Sequence, residues 1–488
     1  MKILSLFLIT LFYCVNLSIG QNSIQTELEI FVNDPTLKHA SISFNLIELD
    51  GNKTIESYNP QLILPPASTT KLFSTATALE ILGPDFRAET RLYADGEIDS
   101  NGVLNGNLWI RGGGDPSLGS KYFNSIDKQH LFLEAWVKEI QTLGIKLISG
   151  SVIADASEFG YNGSPDGWNW VDMGNYYGAG PSGLTIYDNL IQLKFKTSPA
   201  PNRPTEITSV EPTVPKLVMH NYVLSSQRGG DNSYVYGAPY SMDRFITGTL
   251  PVNESEYIVK GSLPDPESQM AYELVRQLLK KNISVEGMSK SVRSHFNTQK
   301  KIEYSDKKLI YTHQGAKLID IINITNHRSI NLFAEHMLCL IAYHKTGEGT
   351  TKKGLAVLEN YWSSRINVSS MRMNDGSGLS RTNAISSENY TNLLAYMAKS
   401  KYKDAFFNSL PISGESGTLK SFCRNQSAHG KIHAKSGTMT RIKSYSGYLD
   451  GNNGKGYAFA IIVNNFNGSS SIVKKKMERL LNSVINSK

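Results

Sequence analysis

Two residues one helical turn apart, Ser68 and Lys71, carry the chemistry most readily read from this chain. They form a Ser-x-x-Lys pair within Pro65-Pro66-Ala67-Ser68-Thr69-Thr70-Lys71. At the start of a helix this spacing puts hydroxyl and amine on one face, so an unprotonated lysine can take the serine's proton and leave an activated nucleophile. The residues that follow predict the helix this requires. Leu72, Phe73, Ala76, Leu79 and Leu82 form an apolar stripe of helical period, and Gly83-Pro84 supplies the stop. The two prolines before Ser68 keep the approach extended. The helix N-terminus brings backbone N–H groups and positive potential to the serine, where an oxyanion would develop. By itself Ser-x-x-Lys is a weak signal, because both residue types are common on solvated helix faces.

The elements that must position this pair come from both ends of the chain. Alternation from Ala40 to Leu49 predicts a strand, Asp50-Gly51 a turn, and a second short strand ends near Tyr58, just before the Ser68 segment. Ile442 to Leu449 and Tyr457 to Asn464 read as strands around a turn-rich Asp450 to Gly454, and Ile472, Val473, Met477, Leu480, Leu481 and Val484 mark a terminal amphipathic helix. Both ends are therefore expected to share one antiparallel sheet covered by helices. The middle differs. Residues 86–199 carry short strands and glycine-rich turns, with one helix near Lys128 to Leu143; residues 200–251 are rich in Pro, Thr and Val; Pro266 to Lys281 is an amphipathic helix. Gly112-Gly113-Gly114 lacks the Lys-Ser/Thr of a phosphate loop and reads as a tight turn.

At 488 residues the chain is too long for one core, and about three domains are expected. The formal charge of +7 is small for this length. Its one concentrated basic run, Lys474-Lys475-Lys476, fits the solvated face of the terminal helix, so no nucleic acid partner is implied. Residues 1–20 read as a secretory signal, with Lys2, an apolar run from Ile3 to Leu17, and Ser18-Ile19-Gly20 before Gln21. An uncleaved signal anchor is the alternative. No other segment is long enough to span a membrane, so contact with one is expected to be at most peripheral. Of three cysteines Cys14 falls in the signal; Cys339 and Cys423 could pair in an exported protein, or Cys339 could simply be buried in its apolar helix. With no His or Cys cluster at ligand spacing, neither a metal nor another cofactor is expected.

Two further segments give the serine its context. Ser329-Ile330-Asn331 runs into a helix from Leu332, and Lys435-Ser436-Gly437-Thr438 precedes the terminal strands. Taken alone, Ser329 and Asn331 read as helix-capping residues and Lys435-Ser436-Gly437 as a turn. In the order Ser-x-x-Lys, Ser-x-Asn, Lys-Ser/Thr-Gly they follow the penicillin-binding proteins and serine β-lactamases. The interval from Ser68 to Ser329 is far longer than a compact β-lactamase needs, and the excess is the inserted middle.

With that insertion the chain resembles the D-alanyl-D-alanine carboxypeptidase and endopeptidase family of low-molecular-mass class C penicillin-binding proteins, the peptidase S13 type. The resemblance extends to Gly113-Gly114-Asp115-Pro116-Ser117-Leu118, Asn374 to Arg381, Gly417-Thr418-Leu419 and Ala434 to Thr438. It implies an α/β multi-domain protein: a β-lactamase/transpeptidase-like domain with a large β-rich insertion between the first two motifs. The expected boundaries are 21–85 and 285–488 for that domain, 86–199 and 252–284 for an inserted domain, and 200–251 for a small β-rich domain nested in it.

The motif positions imply roles. Ser68 is the expected nucleophile and Lys71 its base, kept unprotonated by burial and nearby positive charge. Ser329 is expected to relay a proton to the leaving amine, and Asn331 to hold Lys71 and the substrate amide. Lys435 supplies positive potential, the Ser436 or Thr438 hydroxyl bonds the terminal carboxylate, and backbone N–H groups of Ser68 and Thr438 form the oxyanion hole. Resemblance around Trp168 to Met173 sets Asp172 opposite the free amine of a diamino acid, a role weighed against that of a plain surface aspartate. Asp375-Gly376-Ser377-Gly378 reads as a structural turn near the site, and His327, His336 and His433 as solvated or core histidines.

The expected substrates are peptidoglycan stem peptides, with β-lactam antibiotics as acylating inhibitors, in the periplasm or cell envelope. Endopeptidase cleavage of cross-links is a second expected activity. A serine β-lactamase is the first rival, but no Glu-x-x-Leu-Asn follows Ser329-Ile330-Asn331. A noncatalytic wall-binding protein on the same fold is the second.

Overall fold

Strands from the two chain ends meet edge to edge. In the computed structural model, which describes residues 22–296 and 302–487, β1 (Ser41–Glu48) and β2 (Lys53–Tyr58) join β3 (Ile432–Met439), β4 (Ile442–Asp450) and β5 (Gly456–Asn464) in an antiparallel sheet of order β3-β4-β5-β1-β2. The signal-sequence reading of residues 1–20, with Cys14, lies outside the described residues.

Alternation in β1 serves two covered faces. Ile42, Phe44 and Leu46 pack against a terminal helix and the helix Asn22–Val32, whereas Ser43 and Asn45 turn to the other face. There Ser43 Oγ donates to Ser387 Oγ at 2.8 Å and Asn45 Nδ2 to Thr391 Oγ1 at 2.7 Å, which removes the cost of burying these polar groups.

Helices covering the sheet include α1 (Lys71–Leu82), α2 (Leu318–Arg328), α3 (Asn331–Thr346), α4 (Ser387–Met397) and α5 (Ser470–Ile485). The first four share one core with β4 and β5 through Phe73, Met337, Leu338, Leu394, Tyr448 and Ala460, and α5 covers the opposite face. The stripe expected on α1 is only part of what is buried, since every residue from Lys71 to Leu79 is buried. Its hydroxyls are bonded inward: Thr77 Oγ1 donates to the Phe73 carbonyl at 2.6 Å and accepts from Trp362 Nε1 at 2.8 Å.

The middle of the chain forms further sheets around a core of its own, which includes Leu92, Ile110, Trp136, Val152, Phe195 and Leu274. Its largest sheet takes in two strands that follow residue 285. Ser289–Ser291 pairs in parallel with Val152 to Ala154, and Lys308–Gln314 pairs antiparallel with Glu89–Ala94. Both strands follow residue 285 and yet pair with strands of the insertion more than a hundred residues earlier, out of reach of local patterning.

The nested 200–251 unit divides in a similar way. Val218–Ser226, Tyr234–Tyr236 and Asp243–Pro251 form their own sheet, but Glu206–Glu211 pairs with Leu190–Lys196 outside that unit.

Buried His336 of α3 ties the insertion to the first core. Nδ1 donates to the acceptor-only Gly114 carbonyl at 3.0 Å, so Nε2 accepts from Thr185 Oγ1 at 2.8 Å. Burial pushes its pKa down to about 4, which keeps the imidazole neutral. The tight turn expected at Gly112 to Gly114 lies a little later, at residues 116–119: Gly112 ends the strand Leu108–Gly112, and Gly113 and Gly114 follow as irregular chain packed so closely that an added Cβ would come within 2.3 Å of the Glu89 carbonyl and 2.1 Å of the Phe159 ring. Cys339 and Cys423 are free and buried in different clusters, so the pairing weighed from the sequence does not form.

Candidate active site

Ser68 lies in a short 3-10 turn, Ala67–Thr70, that feeds directly into α1. The turn is strained at its start, with Ala67 at φ +52°. Neighbouring segments clamp it. Ser444 Oγ of β4 donates to the Pro66 carbonyl at 2.5 Å, Thr69 Oγ1 donates to the same oxygen at 2.9 Å, and Gly378 fits so closely that a Cβ there would stand 1.9 Å from the Ala67 carbonyl.

Lys71 is fully buried behind the half-buried Ser68. Its Nζ lies 3.0 Å from Ser68 Oγ, 2.7 Å from Asn331 Oδ1 and 2.6 Å from the Ser377 carbonyl oxygen. The amide of Asn331 is oriented by its own Nδ2, which donates to the Tyr177 carbonyl at 2.8 Å. Two of the three partners of Nζ are thus pure acceptors and the third is a hydroxyl. A neutral amine spends its two hydrogens on the acceptors and turns its lone pair to Ser68 O–H.

Burial drives the Lys71 pKa down to about 7, while the carboxylates of Asp375 and Glu335 pull it upward. Burial, more than the positive surroundings expected from the sequence, is thus the main cause of its depression. Lys435 is also fully buried and held well below the ordinary lysine range, by burial first and then by Lys71 and Lys443. Its Nζ donates to Ser329 Oγ and the Ser436 carbonyl, both at 2.9 Å. Ser329 caps the C-terminal end of α2 in the left-handed region, at φ +59°, and two residues later Asn331 opens α3. The N-capping role weighed for Ser329 and Asn331 does not form, since Ile330 stands at the N-cap of α3 and Ser329 closes the preceding helix.

The β3 edge passes close over the nucleophile. An added Cβ on Gly437 would meet Ser444 Oγ at 2.2 Å, the Pro66 carbonyl at 2.5 Å and the Ser68 nitrogen at 3.0 Å. Only glycine lets the strand backbone approach this near. Ser436 Oγ donates to Thr418 Oγ1 at 2.8 Å, and Thr438 Oγ1 accepts from Lys443 Nζ at 2.7 Å.

The Asp375 loop is the turn expected near the site, and it also presents Ser377's carbonyl to Lys71. Asp375 accepts from the backbone N–H of Gly378 at 2.8 Å and of Ser380 at 2.7 Å. Buried Glu335 accepts from the N–H groups of Gly376 at 3.0 Å and Ser377 at 2.8 Å. Its pKa is pushed up to about 8 by burial and by Asp375. Sequence reasoning missed Glu335 and Lys443. The one signal for Lys443 was its register opposite Thr438 across the two-residue turn Thr440-Arg441.

Asp172 sits apart from this cluster, half-buried on the one-turn helix Trp170–Met173. Burial raises its pKa against the Tyr177 hydroxyl and the charge of Arg381. It connects to the cluster through Tyr177, whose carbonyl holds Asn331. His327 and His433 are partly buried with lowered pKa values, and His433 stacks on Phe407 at 4.1 Å between ring centroids.

The profile of the D-Ala-D-Ala carboxypeptidase 3 (S13) family matches residues 24–484. The chain belongs to this family. A D-alanyl-D-alanine carboxypeptidase of Actinomadura sp. (strain R39) is 26% identical over 462 residues, covering 92% of this chain and 82% of that protein. The crystal structure of penicillin binding protein 4 from Haemophilus influenzae superposes with a TM-score of 0.78 at 22% identity, over 94% of this chain and 99% of that one. The same protein complexed with a β-lactam superposes with a TM-score of 0.73 at 20% identity, over 94% and 97%. These structures share the fold of this chain, an antiparallel sheet covered by helices with a large insertion.

Proposed function

We propose that this chain is a serine D-Ala-D-Ala carboxypeptidase that removes the terminal D-alanine from peptidoglycan stem peptides through an acyl-enzyme on Ser68. One observation carries the mechanism: Lys71 Nζ contacts two acceptor-only oxygens and one hydroxyl, that of Ser68.

As Ser68 Oγ bonds to the carbonyl carbon of the penultimate D-alanine, its proton passes to the Lys71 lone pair. Charge gathers on the carbonyl oxygen, toward the N–H groups of Ser68 and Thr438. One such donor is worth about 2.7 to 4 kcal/mol in a comparable site. When the C–N bond breaks, the proton held by Lys71 passes by way of the Ser329 hydroxyl to the amine of the departing D-alanine, which returns Lys71 to its neutral form; Lys435 holds Ser329 in place. Water then attacks the acyl carbon, gives its proton to Lys71, and the ester bond to Ser68 breaks as Oγ regains a proton. Asp172, linked to the cluster only through Tyr177, would face the free amine of a diamino acid in the stem. β-Lactams acylate the same oxygen.

Export to the periplasm or cell envelope follows from the signal read in residues 1–20, and no helix among the described residues is long and apolar enough to cross a membrane. The test is intact-protein mass spectrometry with benzylpenicillin on mature wild type and Ser68→Ala, with D-alanine release from a pentapeptide assayed in parallel. Adduct and release, both lost in the variant, are expected. A well-folded wild type with neither would overturn the reading in favour of wall binding without catalysis.

A further inference from the structure

Thr438 is exposed at the cleft, and a cation from the neighbouring strand reaches its hydroxyl from within the protein. Lys443 is the β4 residue paired with Thr438, and its Nζ donates to Thr438 Oγ1 at 2.7 Å. Only 9% of Lys443 is exposed, and its ammonium lies 5.1 Å from the centroid of the Tyr445 ring. Lys474 and Glu478 of α5 share its surroundings, but Glu478 is engaged by Lys474 at 3.5 Å and by the Cys423 N–H at 2.9 Å. Among the described residues no carboxylate forms an ion pair with Lys443. An ammonium withdrawn from water, with one hydroxyl as its hydrogen-bond partner among the described residues, has charge left to satisfy.

The two hydroxyls on this edge differ in what they have left to give. Ser436 donates its hydrogen to Thr418 Oγ1. Thr438 accepts from Lys443, so its own O–H stays free, and a hydroxyl that accepts from an ammonium is a stronger donor. Lys435, the lysine expected to draw in the carboxylate, is wholly buried and spent on Ser329 and the Ser436 carbonyl.

We propose that Lys443 is a specificity-determining positioning residue: acting through Thr438, it makes this end of β3 the site for the free C-terminal carboxylate of the substrate and favours chain ends over internal peptide bonds. The proposal rests on the acyl-enzyme reading above and adds the group that selects the carboxylate.

The test compares wild type, Lys443→Met and Lys443→Arg by the second-order rate of acylation with benzylpenicillin and with its methyl ester, which lacks the carboxylate. Because both rates come from one protein sample, their ratio is insensitive to how much of a variant is folded. Lys443→Met is expected to lower the rate with the free acid by about tenfold or more while leaving the ester within about twofold, and Lys443→Arg to restore most of the preference. Equal losses with acid and ester, or no loss with either, would overturn the role of Lys443 alone. A wild type that forms no adduct with either probe would overturn the acyl-enzyme reading and this proposal with it.

Discussion

The indole of Trp168, in the insertion, donates to Asp375 Oδ2 at 2.8 Å, and through that carboxylate the insertion is tied to the loop whose Ser377 carbonyl holds Lys71. Asp375 also accepts from Asn383 Nδ2 at 2.7 Å and from Ser377 Oγ at 3.2 Å, so the loop is shaped around one buried carboxylate. Trp168→Phe removes one donor and is expected to cost about 1 to 2 kcal/mol. Asp375→Asn sets an amide N–H₂ against donors, and a loss of about 3 to 5 kcal/mol is expected. Urea unfolding of both variants gives the comparison; an Asp375→Asn protein as stable as wild type would contradict this account of the loop.

Lys71→Arg tests the lone pair. A guanidinium stays protonated at any working pH and has no free pair to accept the Ser68 proton. Acylation by benzylpenicillin is expected to fall by about a hundredfold to ten-thousandfold, read as the rate of mass-adduct formation. Wild-type rates in this variant would remove Lys71 from the base role.

The pH profile follows from the same group. With a folded pKa of about 7, the acylation rate should climb as pH rises through that value. Stability should respond in a separate window. The unfolded chain keeps this proton up to about 10.5 while the folded chain loses it near 7. Between those values the unfolded state binds more protons, so this group makes stability rise with pH. Denaturant unfolding at several pH values should show the rise in wild type relative to Lys71→Met, a difference from which Glu335 largely cancels. A difference independent of pH would show that Lys71 titrates normally.

Gly437→Ala probes the approach of β3 to Ser68. A methyl group here would collide with Ser444 Oγ, the Pro66 carbonyl and the Ser68 nitrogen, moving the strand away from the nucleophile. If the N–H groups of Ser68 and Thr438 act together, misplacing one should reduce acylation by about a hundredfold to a thousandfold. Circular dichroism and the unfolding midpoint would separate this from loss of fold, and an unimpaired acylation rate would count against the oxyanion assignment.

Much of the site was legible because its chemistry is local. Ser68 and Lys71 share one turn, Ser329-Ile330-Asn331 and Lys435 to Thr438 are contiguous, and the strands and helices at the chain ends have clear periodicity. The sequence by itself therefore determined the motif order, the family and the sheet built from both ends. Tertiary structure alone decided the rest. Lys71's partner carbonyl at Ser377 lies 306 residues away, and the burial that lowers its pKa requires α1 to be enclosed on all sides. Strand pairing joined Lys308–Gln314 to Glu89–Ala94. Separate cores kept Cys339 and Cys423 apart. The sheet register set Lys443 behind Thr438. These are contacts between segments distant in sequence or across a strand pair, and hydrophobic periodicity reports which face of an element is buried, without naming the residue it is buried against.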